Sequence, residues 1–239
     1  MALGYVRPAR PDEADEIARI QLSTWRTAYR RLLPRHVLDE MEPQWLAQRW
    51  RAAVEAPPSD RHRVLVAVEQ AGSSYLVGFA AIGPADEAAL APGEEAGALD
   101  AGTAAITELL VEPRWGRRGH GSRLLAASVD LWREDGFGTA VAWAYERDAA
   151  TLAFLTGAGW APDGAHRALD VDDLLVPQRR LHVALGEADD EVDTDGAFGP
   201  HPGPAGGGGP DAAGTVGPGA SGSVEERPEA DGEPGPVDD

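Results

Sequence analysis

The chain has 239 residues, with 40 acidic side chains against 21 basic ones, a net charge of −19 at pH 7, six histidines and no cysteine. Without cysteine there is no disulfide, thiolate nucleophile or cysteine-ligated zinc. The histidines (His36, His62, His120, His166, His182 and His201) include no i, i+4 pair, so no metal centre is expected. The acidity argues against nonspecific nucleic-acid binding, the charged start does not read as a signal peptide, and no window approaches eighteen uninterrupted apolar residues; the expectation is a cytoplasmic protein without a nucleic-acid or membrane partner.

Tyr5 to Pro8 predicts a first strand. Pro11 to Ala28 then reads as a helix, with Asp12, Glu13 and Asp15 near its positive end and Ile17, Ile20, Leu22 and Trp25 spaced to face inward. Pro34 to Met41 and Pro43 to Val54 predict two short helices, each opened by a proline, whose missing N–H would find no partner in a first turn anyway. Arg63 to Glu69 and Leu76 to Ile82 predict an antiparallel pair turning at Gly72, Ser73 and Ser74. Pro84 to Thr103 is expected to be a mobile acidic loop. Ile106 to Val111 is a largely apolar strand ended by Pro113, and from Gly121 onward Leu124, Leu125, Ser128, Leu131 and Trp132 recur at helical spacing. Thr139 to Tyr145 is a strand, Glu146 to Gly159 a helical segment stopped by glycine, and His166 to Asp170 and Arg180 to Leu185 are closing strands. Strands and helices in this order imply an α/β sheet layered with helices.

Residues 186–239 hold 14 Gly and 8 Pro in 54 positions, 14 of the 40 acidic residues and one of the 21 basic ones. Such a composition cannot bury enough apolar surface to offset its ordering entropy. The expected division is a folded domain over 1–185 and a disordered acidic tail over 186–239, and the overall acidity is mainly a property of that tail.

The segment ITELLVEPRWGRRGHGSRLL, Ile106 to Leu125, joins strand to helix through a loop rich in glycine and arginine. Gly119 and Gly121 stand at the start of the helix, where backbone N–H groups without an intrahelical partner and the positive end of the dipole favour an anion, and Arg117 and Arg118 add two permanent charges. A Walker-type loop requires lysine, and the chain has none. The dinucleotide fingerprint fails because Leu124 occupies the place of its third glycine. The pattern V-x-P-x-[YW]-x-x-x-G-x-G does fit, through Val111, Pro113, Trp115, Gly119 and Gly121, and it closely resembles motif A of the GCN5-related N-acetyltransferase (GNAT) family. A second segment agrees: where family members commonly show N-x-x-A-x-x-F-Y-x-x-x-G-[FW], this chain has Asp148, Thr151, Phe154, Leu155, Gly159 and Trp160. The resemblance covers roughly Val6 to Leu185.

The resemblance implies a GNAT fold: a mixed, mostly antiparallel central sheet flanked by helices, whose fourth and fifth strands splay apart to admit the pantetheine arm of acetyl-CoA. It implies pantetheine contacts at Leu109, Leu110 and Val111, pyrophosphate contacts at Arg117, Arg118, Gly119, His120, Gly121 and Ser122, and a cofactor contact at Asp148, where relatives carry Asn. Gly116 stands where many relatives have Gln or Arg, which shifts more of the charge onto Arg117. Leu155 replaces a Tyr that often serves as general acid, which leaves Tyr145 or water to protonate the leaving thiolate; the alternative for Tyr145 is an ordinary strand aromatic. Glu108 is the candidate base, with partial burial expected to raise its pKa; the alternative is an outward carboxylate paired with an arginine. Trp25 and Tyr29, with Trp45 nearby, are the candidate acceptor-binding aromatics, and Arg26 and Arg30 would favour an acidic acceptor; core packing is the alternative.

The function implied is transfer of the acetyl group of acetyl-CoA to a primary amine of a small molecule or peptide by direct attack in a ternary complex, without a metal, in a protein that could form a homodimer. The missing Tyr and Asn equivalents keep open a non-catalytic acyl-CoA-binding sensor, and the tail keeps open an interaction protein. Truncation after Leu185 is expected to leave thermal stability and acetyl-CoA affinity essentially unchanged. Differential scanning fluorimetry and calorimetry check this, and a substantial loss of either would mean that the tail docks on the domain.

Overall fold

The structure is a computed structural model, and it describes residues 3–95 and 97–186. The expected tail lies outside the described residues from 187 onward. Seven strands form one sheet in the order β1-β2-β3-β4-β5-β7-β6. They are β1 (Leu3–Pro8), β2 (Arg63–Ala71), β3 (Ser73–Pro84), β4 (Thr103–Val111), β5 (Thr139–Tyr145), β6 (Ala161–Val171) and β7 (Leu174–Ala184). The helices are α1 (Ala14–Ala28), α2 (Arg35–Glu40), α3 (Pro43–Glu55), α4 (His120–Glu134) and α5 (Ala149–Gly157). All neighbouring strands run antiparallel except β4 and β5.

The inner strands are apolar on both faces because helices cover both. Along β2, Leu65 and Ala67 join Leu124, Leu125 and Trp132 of α4 in one core, while Val64, Val66 and Val68 join Ile17, Ile20 and Trp25 of α1 in another. This is the two-residue alternation of a strand buried on both sides. Leu22 is also buried, yet it packs with Leu46 and Ala47 of α3 and not on the sheet. Gly78 of β3 lies so close to β4 that an added Cβ would stand 2.6 Å from the Leu110 carbonyl oxygen. Gly78→Ala is therefore expected to destabilise the domain by about 1–3 kcal/mol through overpacking, lowering the melting temperature in a thermal scan. An unchanged melting temperature would show that β3 and β4 can separate freely there.

Several boundaries differ from the sequence expectation, each for a local reason. Pro11–Glu13 form a separate 3-10 turn before α1, with Glu13 bound to the Arg10 backbone N–H and to Arg7. Pro34 precedes α2 as its cap and does not open its first turn. Ser73 and Ser74 belong to β3, because Ala71 already pairs with Ser73 and Gly72 alone turns the chain at φ +78°. The segment between β3 and β4 was expected to be mobile; it is instead tied down by Arg180, which contacts Glu94 at 2.7 Å and the Ala89 carbonyl at 3.0 Å, and by Trp143 Nε1, which donates to that carbonyl at 3.1 Å. Finally, β6 and β7 form a long hairpin through Asp172 and Asp173, both at positive φ, where only His166 to Asp170 and Arg180 to Leu185 were expected as strands. Consecutive positive φ values are the geometry of a type I′ turn, which Asp tolerates better than most residues.

Candidate active site

Strands β4 and β5 pair only from Thr103–Thr139 to Ile106–Ala142. Beyond that point β4 stays paired with β3 as far as Val111, and β5 stays paired with β7 as far as Tyr145. Their facing edges, Thr107 to Val111 and Trp143 to Tyr145, are thus unpaired with each other, and the two strands part as expected. Leu109, Leu110 and Val111 all lie along this opened edge. Their side chains are core residues, Leu109 and Val111 on the α4 face and Leu110 on the α1 face, so what they offer at the gap is backbone.

A bulge in β4 decides where Glu108 points. Ala81 pairs with Glu108 and Ile82 with Ile106, which leaves Thr107 as an extra residue, its hydroxyl donating to the Ala81 carbonyl at 3.2 Å. In a regular strand Ile106 and Glu108 would share a face; the bulge leaves Ile106 in the α4-side core and turns Glu108 toward α1. There Trp25 Nε1 donates to its carboxylate at 3.2 Å. Glu108 is buried and meets no arginine among the described residues, and its pKa is raised well above the ordinary carboxylate range, chiefly by desolvation and only partly offset by the Trp25 bond. The alternative of an outward carboxylate paired with an arginine therefore does not hold.

Tyr145, at the end of β5, meets Tyr29, the residue that caps the C-terminus of α1, edge to face, with ring centroids 5.0 Å apart. Both are buried, and neither hydroxyl has a hydrogen-bond partner among the described residues. Desolvation first, and then the nearby Glu108, raises both phenol pKa values, so both protons are held tightly. Tyr29 is enclosed beside Tyr145 and within the electrostatic reach of Glu108. Trp45 lies elsewhere, 52% exposed, with the Arg49 guanidinium 4.8 Å above its ring. Arg26 and Arg30 line an open cleft of about 220 Å³ with Arg35, Leu38 and Asp39.

The loop after β4 has the features of an anion cradle. Arg117 adopts φ +62° and Gly119 φ +75°, and Gly119 caps α4, whose start carries no side-chain cap among the described residues. The first-turn N–H groups, including those of His120, Gly121 and Ser122, therefore have no capping acceptor. Arg117, Arg118 and Ser122 are exposed around this start, and the Arg118 guanidinium lies 4.9 Å over Trp115. Arg123 was missed in the sequence. It stands in the first turn of α4 and donates to the Arg118 carbonyl at 3.2 Å. An arginine is disfavoured at the positive end of a helix unless an anion sits there, and that was the available signal.

Two expected cofactor residues have other partners. The His120 imidazole points into the protein, 3.2 Å from the Glu69 carboxylate though not in hydrogen-bonding geometry, and burial lowers its pKa against the pull of Glu69. Only its backbone N–H remains at the helix start. Asp148 caps α5, accepting from Thr151 N–H at 3.1 Å and Thr151 Oγ1 at 2.6 Å, so both carboxylate oxygens serve the helix. Leu155 is fully buried in the α4-side core with Trp132 and Trp160 and supplies no proton donor.

Comparison with known proteins agrees with this geometry. The chain matches the acetyltransferase (GNAT) family over residues 19–160, more than half its length, and it belongs to that family. It is 27% identical over 147 residues to YuaI of Bacillus subtilis (strain 168), an uncharacterized N-acetyltransferase, a match covering 62% of this chain and 75% of YuaI. Among solved structures, an N-acetyltransferase from Staphylococcus aureus Mu50 superposes with a TM-score of 0.58 at 17% identity, covering 77% of this chain and 99% of the other. The PaiA N-acetyltransferase of Thermoplasma acidophilum, solved with coenzyme A, gives 0.52 at 13% identity over 74% and 98%. YncA from Salmonella typhimurium, solved with its cofactor acetyl-CoA, gives 0.55 at 16% over 80% and 99%. The chain is thus an acetyl-CoA-dependent N-acetyltransferase. No helix of the described residues is long and apolar enough to cross a membrane.

Proposed function

We propose that the protein acetylates a primary amine of a small molecule or peptide by direct attack within a ternary complex, with Glu108 as the base. The observation that carries this reading is Glu108 itself: a buried carboxylate, turned by the Thr107 bulge to the α1 side of β4 where β4 and β5 part. Acetyl-CoA supplies the thioester carbonyl that the amine attacks. The open N–H groups of the α4 start, with Arg117, Arg118 and Ser122 around them, fit its pyrophosphate, and the free edge at Leu109, Leu110 and Val111 fits its pantetheine amides. The residues thus suit the group.

Glu108 draws a proton from the amine. Its raised pKa makes it a stronger base than an exposed carboxylate, and Trp25 Nε1 holds it in place. Tyr145 keeps its proton, so it serves the departing thiolate as a hydrogen-bond donor more readily than as a full acid. Trp25 and Tyr29 pack on the same side of the sheet as Tyr145, and in this reading they bound the acceptor. Purified protein given acetyl-CoA and a broad panel of amines should release free CoA thiol with at least one of them. Binding of acetyl-CoA without release from any amine would overturn the reading.

A further inference from the structure

Tyr145, Gln178 and Arg167 form a row across three adjacent strands. Tyr145 of β5 pairs with Gln178 of β7, which pairs with Arg167 of β6, and directly paired residues project from the same face of a sheet. That face is the α1 side, since Tyr145 packs with Tyr29 while Ala140, Ala142 and Ala144, alternating with it along β5, belong to the α4-side core. Arg167 reaches back across β7. Its Nε donates to the Gln178 side-chain oxygen at 2.7 Å, its Nη1 donates to the Ala88 carbonyl at 2.6 Å, and its guanidinium lies 4.2 Å over the Trp143 ring of β5.

All these partners are neutral. Arg180, beside it over the same indole, is paired with Glu94 and Asp163, whereas Arg167 has no carboxylate partner among the described residues. Among the described residues its Nη2 is buried without a hydrogen-bond partner, and so are Gln178 Nε2, the Tyr145 hydroxyl and the Tyr29 hydroxyl. Buried donors left unmade cost about 1–3 kcal/mol each, and a buried charge normally has a counter-charge. Three such donors in one row across the sheet, one of them cationic, with the Tyr29 hydroxyl beside Tyr145, suit an anionic partner. Burial lowers the pKa of Arg167 to about 10, which still leaves it charged at neutral pH.

We infer that Arg167, with Gln178 and Tyr145, binds an acidic group of the acceptor, and that the acceptor is a small primary amine carrying a carboxylate or a comparable oxyanion. The inference rests on the proposed amine acetylation and deepens it by naming the substrate class. The anion is not a phosphate of the cofactor, because the α4 start lies against the opposite face of the sheet. Tyr145 feels both the Glu108 carboxyl and the Arg167 charge, so in this reading the acceptor's amine lies by the first and its acid by the second.

The test compares matched acceptor pairs, amino acids against their carboxamides, together with diamines, by steady-state CoA thiol release from the full-length protein. The acids should exceed the amides in kcat/KM by roughly 10- to 100-fold, the worth of a charge-assisted hydrogen bond. In Arg167→Gln the ratio of acid to amide should fall toward one through a rise in KM for the acid, Arg167→Lys should restore part of it, and Arg30→Gln should leave the ratio standing. If Arg167→Gln fails to fold, the wild-type ratio alone decides. Release from diamines or amides at least as efficient as from the acids overturns this inference while sparing the proposed acetylation, as does a ratio that follows Arg30 and ignores Arg167. Release from no amine removes both.

Discussion

Replacing Glu108 by Gln is expected to lower turnover of the best amine by on the order of a hundredfold or more, with acetyl-CoA affinity nearly intact. Gln keeps the shape and can still accept the Trp25 N–H bond, so the variant removes basicity and little else. The deficit should shrink at high pH, where the amine loses its proton without help. In the wild type the acid limb of kcat/KM should lie above the ordinary carboxylate range, because only deprotonated Glu108 is a base and burial raises its pKa. Electrostatic attraction of a cationic amine would instead appear as a higher KM with turnover preserved. Stability should move the other way. A carboxyl whose folded pKa lies above its unfolded value contributes stability at acid pH that is lost as pH rises from the ordinary carboxylate value through the folded one. Glu108→Gln should therefore melt above the wild type at neutral pH, with the advantage vanishing at acid pH. Wild-type turnover across the pH range would make Glu108 structural and leave deprotonation to water.

Substituting larger residues for both Gly119 and Gly121 should abolish CoA binding while the fold survives. Gly119 sits at φ +75°, where an L-residue costs roughly 1–2 kcal/mol, and its Cβ would meet nothing closer than the Arg123 guanidinium at 3.8 Å. The domain can carry that strain. Gly121 is buried in the first turn of α4, where added bulk tilts the helix start away from an anion. Because the N–H groups act only at hydrogen-bond distance, a displacement of about an ångström forfeits most of their contribution. Calorimetry against CoA, with circular dichroism and a cooperative melt confirming the fold, checks the result. Unchanged affinity in a folded double variant would place the cofactor elsewhere.

Period and punctuation in the chain were sufficient for the layered α/β architecture, the positions of β4, α4 and β5, and the glycine-rich helix start. These are local properties: alternation in strands, 3.6-residue spacing in α4 and glycines where positive φ is needed. The parting of β4 and β5 came from resemblance alone, since it depends on which edges fail to pair, and pairing is a relation between distant segments. The β6–β7 hairpin was legible only in part, because the Asp172–Asp173 turn signal was passed over and β6 exposes alternate residues through much of its length.

Tertiary structure decided what each site residue could do. Thr107 as a bulged residue is invisible in TELLV, yet it sends Glu108 to the α1 face and buries it. Asp148 and His120 occupy motif positions, but a helix cap claims one and the sheet edge around Glu69 encloses the other. Arg167 carries no motif, and its place in a row assembled from three strands, with no carboxylate partner among the described residues, could not be read from its neighbours in sequence. By itself the sequence determined the elements and the glycine-rich start of α4, since backbone conformation and helix termini are written in neighbouring residues. Desolvation, hydrogen-bond satisfaction and charge pairing depend on residues remote in the chain, so they were settled only when the sheet brought those residues together.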